Sequence, residues 1–203
     1  PYLLEADEYL QEHGFEPGAS ENLEYAVQST YWSNIDIIPA CLANLNIDTQ
    51  MTEIMDDASL SWTYKVTRLR DGLASLRDNY DFILIDLRPA IDLSIENALL
   101  ITDVVIVPVD MDRRATKGIS DLFEVIAEIK RKDTFDYMLV KTKIDARNKI
   151  MLKATEDRIS EMDWTVSKTA IRTSEDFKKA TEEKMPICYY ARNSKSHQDY
   201  MSL

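Results

Sequence analysis

One aspartate closes an almost unbroken apolar run and invites metal or phosphate chemistry. In YDFILIDLRPA (80–90), Asp86 follows Phe82, Ile83, Leu84 and Ile85 and precedes Leu87. A carboxylate in a buried strand is costly unless it is paired, and a hard divalent cation with oxygen ligands makes it tolerable. Phosphate-handling enzymes place an aspartate at such a strand end to hold magnesium or its coordinated water. Helix capping is the other role the pattern leaves open. Asp110 and Asp112, and the stretch Thr142 to Asp145, stand at comparable strand ends.

These residues need elements to place them. Apolar runs predict strands over 34–40, 81–87, 103–110, 137–143 and 164–171, with a short extended piece over 186–190. Helical spacing, capping residues and Gly/Pro punctuation predict helices over 2–13, 20–29, 48–57, 61–78, 93–101, 115–131, 148–161 and 174–184, with a last one starting near Ser196. Strands alternating with helices, several of them continuous Val/Ile/Leu runs, imply a doubly wound, mostly parallel α/β sheet with helices on both faces. Without repeats or a flexible linker, 1–203 reads as a single domain. Ligands in such folds sit at the carboxyl ends of the strands, which is where Asp86, Asp110 and Thr142 fall.

Charge is unevenly spread. Residues 1–112 carry 5 Lys/Arg against 21 Asp/Glu, and residues 113–203 carry 19 against 15. The second half offers either a solvated basic face or a phosphate-facing one. Cys41 and Cys188 form neither a disulfide framework nor a metal spacing. The absence of a membrane-length apolar run and of a signal-peptide pattern predicts a soluble, cytoplasmic protein with no membrane role.

The stretch LRDNYDFILIDLRPAIDLSIENALLITDVVIVPVDMDRRATKGISDL (76–122) resembles the centre of the ParA/MinD-type deviant Walker ATPases. The closing stretch, from Thr169 through Phe177, Ala180, Pro186-Ile187 and the Ser194/Asp199/Tyr200 pattern, resembles that family's end, and 21–45 resembles its region before the Walker B strand. The likeness implies an ATPase using ATP and Mg. It also implies a homodimer on nonspecific DNA that segregates plasmids or chromosomes with a centromere-binding ParB-like partner. Carried over by residue, Asp86 is the catalytic and metal-orienting Walker B aspartate, and Arg88 and Pro89 belong to the loop that senses the γ-phosphate. Thr142 and Lys143, with Ile171 and Arg172, fall near the base and ribose. Lys130, Arg131, Lys132, Arg172, Lys178, Lys179 and Lys184 are the candidate contacts to the DNA backbone.

The chain departs from that family in one respect with chemical weight. Its four glycines, Gly14, Gly18, Gly72 and Gly118, form no G-x-x-x-x-G-K-[ST] loop, so these residues alone are expected not to hydrolyse ATP. Either they are a portion of a longer ATPase, as the Pro1 start suggests, or they are a non-catalytic interaction module on the same fold. An amidoligase or reductase relative would need a further substrate domain. Without its own phosphate-loop strand the sheet should expose an unpaired edge. His13 and His197 read as surface residues, and Tyr31-Trp32 and Trp62-Tyr64 as core anchors or base-stacking groups. Thr142 to Asp145 also resembles the guanine-reading motif of GTPases.

Overall fold

The computed structural model describes residues 23–39, 47–88, 92–110, 115–132, 134–145, 147 and 149–203. They fall into two compact units, one ending at Thr102 and one beginning at Asp103, and each is described by itself. The helices expected over 2–13 and before Leu23, like Pro89, Asp112, Cys41 and His13, lie outside the described residues. No helix among the described residues is long and apolar enough to cross a membrane.

The first unit is mainly helical. A 3-10 turn, Leu23–Ala26, leads into a two-residue strand β1 (Gln28–Ser29), which pairs antiparallel with β2 (Asp36–Ile37). Thr30 closes this hairpin through its hydroxyl, which donates to the Ile35 carbonyl at 2.6 Å. The sequence reading gave one helix over 20–29. Val27, Ser29 and Thr30 are poor helix formers next to a turn, and the chain reverses there instead. Helix α1 (Ile47–Asp56) follows, then α2 (Trp62–Leu73), whose Ser61 hydroxyl accepts from the Tyr64 N–H, and α3 (Leu93–Ile101), capped by Asp92. Leu23, Leu73 and Leu76 form a buried cluster with Val27, Leu69, Tyr80 and Ile101 around it.

Asn97 joins α2 to α3. Its side-chain N–H groups donate to the carbonyls of Lys65 and Leu93, both at 2.9 Å, and its side-chain oxygen accepts from the Leu69 N–H at 3.1 Å. Lys65 and Leu69 are one helical turn apart, so a single buried amide serves both partners of a helical step. The buried Lys65 ammonium donates to the Met55 carbonyl in the last turn of α1 at 2.7 Å, where the helix dipole favours a cation.

The second unit holds the sheet. Strands β3 (Val104–Asp110), β4 (Asp136–Ile144) and β5 (Val166–Arg172) are parallel in the order β3-β4-β5, with Val104 opposite Asp136 and Asp110 opposite Thr142. Parallel strands need crossovers, and two helices provide them: α4 (Ala115–Lys130) and α5 (Lys149–Ser160). Val107, Val109, Ile119 and Leu139 make the core on one side, joined by the half-buried aromatics Phe123, Tyr137 and Trp164. After β5 come α6 (Glu175–Glu182), a single turn α7 (Ile187–Tyr190) and α8 (Lys195–Met201), which packs against β5. The extended piece expected over 186–190 is helical: among the described residues no strand pairs with it, and Pro186 starts the turn by accepting the Tyr190 N–H at 3.0 Å.

The strand expected over 81–87 is not formed. Residues 82–88 carry no assigned secondary structure, and Phe82 and Leu84 are 85% and 87% exposed. A parallel strand is stable only when both edges and both faces are covered, and among the described residues nothing pairs with this one. β3 likewise leaves Val104 and Ile106, which share one face of the strand, exposed.

Candidate functional site

Asp86 is exposed. The buried carboxylate that the apolar run predicts is therefore not what the fold presents. Six residues on, Asp92 is the acid that caps: one oxygen accepts from the N–H groups of Ser94 and Ile95 at 2.9 and 3.1 Å, and the other accepts from Arg88. Burial raises its pKa, but the Ser94, Ile95 and Arg88 bonds outweigh that and hold it below the ordinary carboxylate value. Arg88, assigned by resemblance to a γ-phosphate loop, is thus tied to a helix start.

The carboxyl ends of the parallel strands gather a second set. The Asp110 carboxylate, ending β3, accepts the Lys143 ammonium at 2.7 Å and the Thr142 hydroxyl at 3.2 Å. Thr142 also lies within hydrogen-bonding distance of the Val109 carbonyl. Lys143 has a left-handed backbone, φ 52°, and sits where β4 shifts register against β5 between Lys141 and Ile144. That one-residue bulge turns the Lys143 side chain toward the end of β3. Just beyond, Arg147 grips Asp145 with bonds of 2.7 to 3.1 Å and draws its pKa down to about 2.

At the end of β5, Ile171 is buried and Arg172 pairs with Asp199 of α8. Hydrogen bonding from Arg172 holds the Asp199 pKa below its usual value and raises that of Arg172. Thr169 donates to the Ser202 carbonyl at 2.6 Å, so two polar ties fasten α8 to β5. Asp199 was legible only as part of a family pattern; its role as the partner of Arg172 needed the fold.

The candidate DNA contacts divide by environment. Lys178 pairs with Glu175 on the surface of α6 at 2.7 Å, and Lys179 is exposed beside it. Lys130 is half-buried, and burial, reinforced by Lys132, lowers its pKa. Arg131, directly after α4, and Lys184, two residues after α6, have φ of 51° and 52°. Lys132 N–H bonds to the Ala127 carbonyl at 3.2 Å and Met185 N–H to the Ala180 carbonyl at 2.9 Å, the closing bonds of a helix whose end residue is left-handed. Tyr31 is exposed, and Arg68 stacks on the half-exposed Tyr64 ring at 4.6 Å. His197 is half-buried, with its Nδ1 enclosed and unpartnered among the described residues.

No group of three or more His, Cys, Asp or Glu that could hold a metal occurs among the described residues, and the sequence has no glycine-rich phosphate loop.

Residues 12–141 match a family model described as an AAA domain. Sporulation initiation inhibitor protein Soj of Bacillus subtilis (strain 168) is 26% identical over 180 residues, covering 87% of this chain and 68% of Soj. An uncharacterised protein of Pseudomonas putida KT2440 is 30% identical over 189 residues, covering 90% and 67%. Protein SopA of Escherichia coli K12 is 34% identical over 91 residues, 45% of this chain and 23% of SopA. A plasmid partition protein of Borrelia burgdorferi B31, crystallised with AMPPNP, superimposes with a TM-score of 0.64 at 20% identity over 98% of this chain and 74% of its own.

Proposed function

This chain belongs to the ParA/MinD-type partition ATPase family, within the AAA-domain class, and from that premise we propose that it serves DNA partition as an ATP- and magnesium-dependent dimer on nonspecific DNA. A centromere-binding ParB-like protein is the proposed stimulating partner. The observation that carries the DNA half of this reading is the exposed pair Lys178 and Lys179 on α6, within a half of the chain that is net basic while the other is strongly acidic. Sequence-independent affinity for a polyanion needs only such charge.

The ATP half rests on the family. Asp86 would orient magnesium or water, Arg88 and Pro89 would sense the γ-phosphate, and Thr142, Lys143, Ile171 and Arg172 would face base and ribose at strand ends. The exposed Asp86 favours a second reading, a binding module without turnover.

ATP hydrolysis by the 203-residue chain, measured beside D86A, separates the two properties. We expect no Asp86-dependent turnover, since the sequence has no glycine-rich loop whose N–H groups and lysine would cradle the triphosphate oxygens beside Asp86. Asp86-dependent hydrolysis would overturn that expectation. The DNA half is tested by binding of a random-sequence duplex with and without K178A/K179A, which should weaken it.

A further inference from the structure

Strand β5 is an outer strand of the order β3-β4-β5, and among the described residues only β4 pairs with it. An outer strand presents a row of main-chain groups that a further strand can take, and folds guard such edges with charges, bulges or a covering helix. Here the cover is α8, which packs against β5. Thr173 gives its N–H to the Ile144 carbonyl of β4 at 2.9 Å, so the Arg172 N–H points the other way, to the outer edge. Asp199 of α8 meets it there. Its Oδ2 accepts that N–H at 3.1 Å, and its two oxygens accept the Arg172 guanidinium at 2.6 and 2.7 Å. A side-chain carboxylate thus stands where the carbonyl of a next strand would.

The cover is attached by its polar side. A surface helix ordinarily buries an apolar stripe and exposes its polar face. In α8 the order is reversed: Ser196 and Asp199 are buried, whereas Tyr200 and Met201 are 51% and 71% exposed. A second tie to β5 is the Thr169 hydroxyl, which donates to the Ser202 carbonyl at 2.6 Å. Toward α6, Tyr200 meets the Phe177 ring edge-on and the Ser196 hydroxyl reaches Asp176 at 3.4 Å. The attachment to the strand therefore rests on polar bonds at Thr169 and Arg172, with little apolar burial to hold the helix once they go.

The strand beneath suits pairing with its own copy. Val166–Arg172 contains no proline, glycine or acid and carries the β-branched Val166, Thr169 and Ile171. Two copies laid antiparallel about Thr169 set Lys168 opposite Ala170, Arg172 opposite Val166 and Thr169 opposite itself, so no like charges face each other directly. Parallel pairing in register would stack Lys168 on Lys168 and Arg172 on Arg172.

We propose that α8 guards the β5 edge, and that when α8 is displaced this edge pairs antiparallel with β5 of a second copy of the chain. Neither nucleotide nor DNA takes part.

The test is sedimentation velocity of the whole chain over a concentration series, without nucleotide or DNA, with amide exchange of β5 read at the lowest and highest concentrations. In the wild type the Arg172 N–H should exchange slowly, at a rate independent of concentration. D199A should speed that exchange at low concentration by about tenfold, because a charge-assisted bond is lost. It should also associate as concentration rises, with the β5 amides regaining protection in the associated form. T169A should raise β5 exchange and association to a smaller degree, and it serves where a thermal melt shows D199A unfolded. A folded D199A that stays monomeric while its Arg172 N–H exchanges faster overturns the pairing, as does association that leaves the β5 amides unprotected. Wild-type exchange in both variants, or a wild type that already associates through β5 as strongly as they do, overturns the guard.

Discussion

The Asn97 side chain bonds the Leu69 N–H at 3.1 Å and, through its other end, the Lys65 carbonyl at 2.9 Å, so one buried amide splices α3 onto a turn of α2. Replacing it removes three hydrogen bonds made by buried or part-buried groups. Each such group costs about 1–3 kcal/mol. Asn97→Ala or Asn97→Leu should therefore lower unfolding free energy by about 2–4 kcal/mol, read from urea melts. A loss under about 0.5 kcal/mol, the range of ordinary surface changes, would show that the splice contributes little.

The exposed segment gives an opposite expectation. Phe82 and Leu84 are 85% and 87% exposed, whereas Leu73 is 7% exposed in the first unit's core. Leu73→Ala should cost about 2–5 kcal/mol, while Phe82→Ser and Leu84→Ser should each change stability by less than about 0.5 kcal/mol and should raise solubility by removing apolar strand surface. Large losses at Phe82 or Leu84 would mean that the run is packed as a strand after all.

Much of the α/β pattern was legible because it is local. Asp92 before Leu93, Ser174 before Glu175 and Ser194 before Lys195 mark helix starts in the sequence and cap those helices in the structure. The apolar run 104–110 is a strand for the reason its composition suggests. The run 82–87 looks the same in sequence and is not a strand, because a strand also needs neighbours, which composition does not supply. Residues 186–190 failed in the other direction, since the β-propensity of Ile187, Tyr189 and Tyr190 yields to context. At the candidate site, strand ends were legible but partners were not. Nothing in the sequence joins Arg172 to Asp199, 27 positions apart, or Lys143 to Asp110 across a bulge. Asn97 did leave a signal, as a lone amide inside the apolar helix LSIENALLI.

Two of the basic residues suggested for DNA have a backbone reason to be examined first. Arg131 and Lys184 are left-handed at helix ends, where β-branched side chains are disfavoured and glycine is at ease. Lys184→Val should lower stability by about 1–2 kcal/mol, and Lys184→Gly should not lower it. Thermal melts of the two variants check this. If Lys184→Gly lowers duplex affinity while the melt is unchanged, the side chain has a binding role besides its place in the cap.

Acid should loosen the attachment of α8. The folded-state pKa of Asp199 lies below its ordinary 3.8, chiefly through the hydrogen bonds from Arg172. A depressed carboxylate contributes stability that is present above the unfolded pKa and is lost as pH falls through the folded value. Amide exchange in α8 should therefore rise below about pH 4 more steeply in the wild type than in D199N, which has no such proton to gain. Identical pH profiles for the two proteins would rule the pair out as the acid-sensitive tie.

The proposed function turns on whether the basic half of this chain binds DNA by itself. The most direct measurement is the anisotropy of a labelled random-sequence duplex titrated with the chain over a salt series. Binding at low salt is expected, with log K falling linearly against log salt, and K178A/K179A should weaken it and reduce the slope by about 2. No binding at low salt, or binding indifferent to salt and to both lysines, would contradict it.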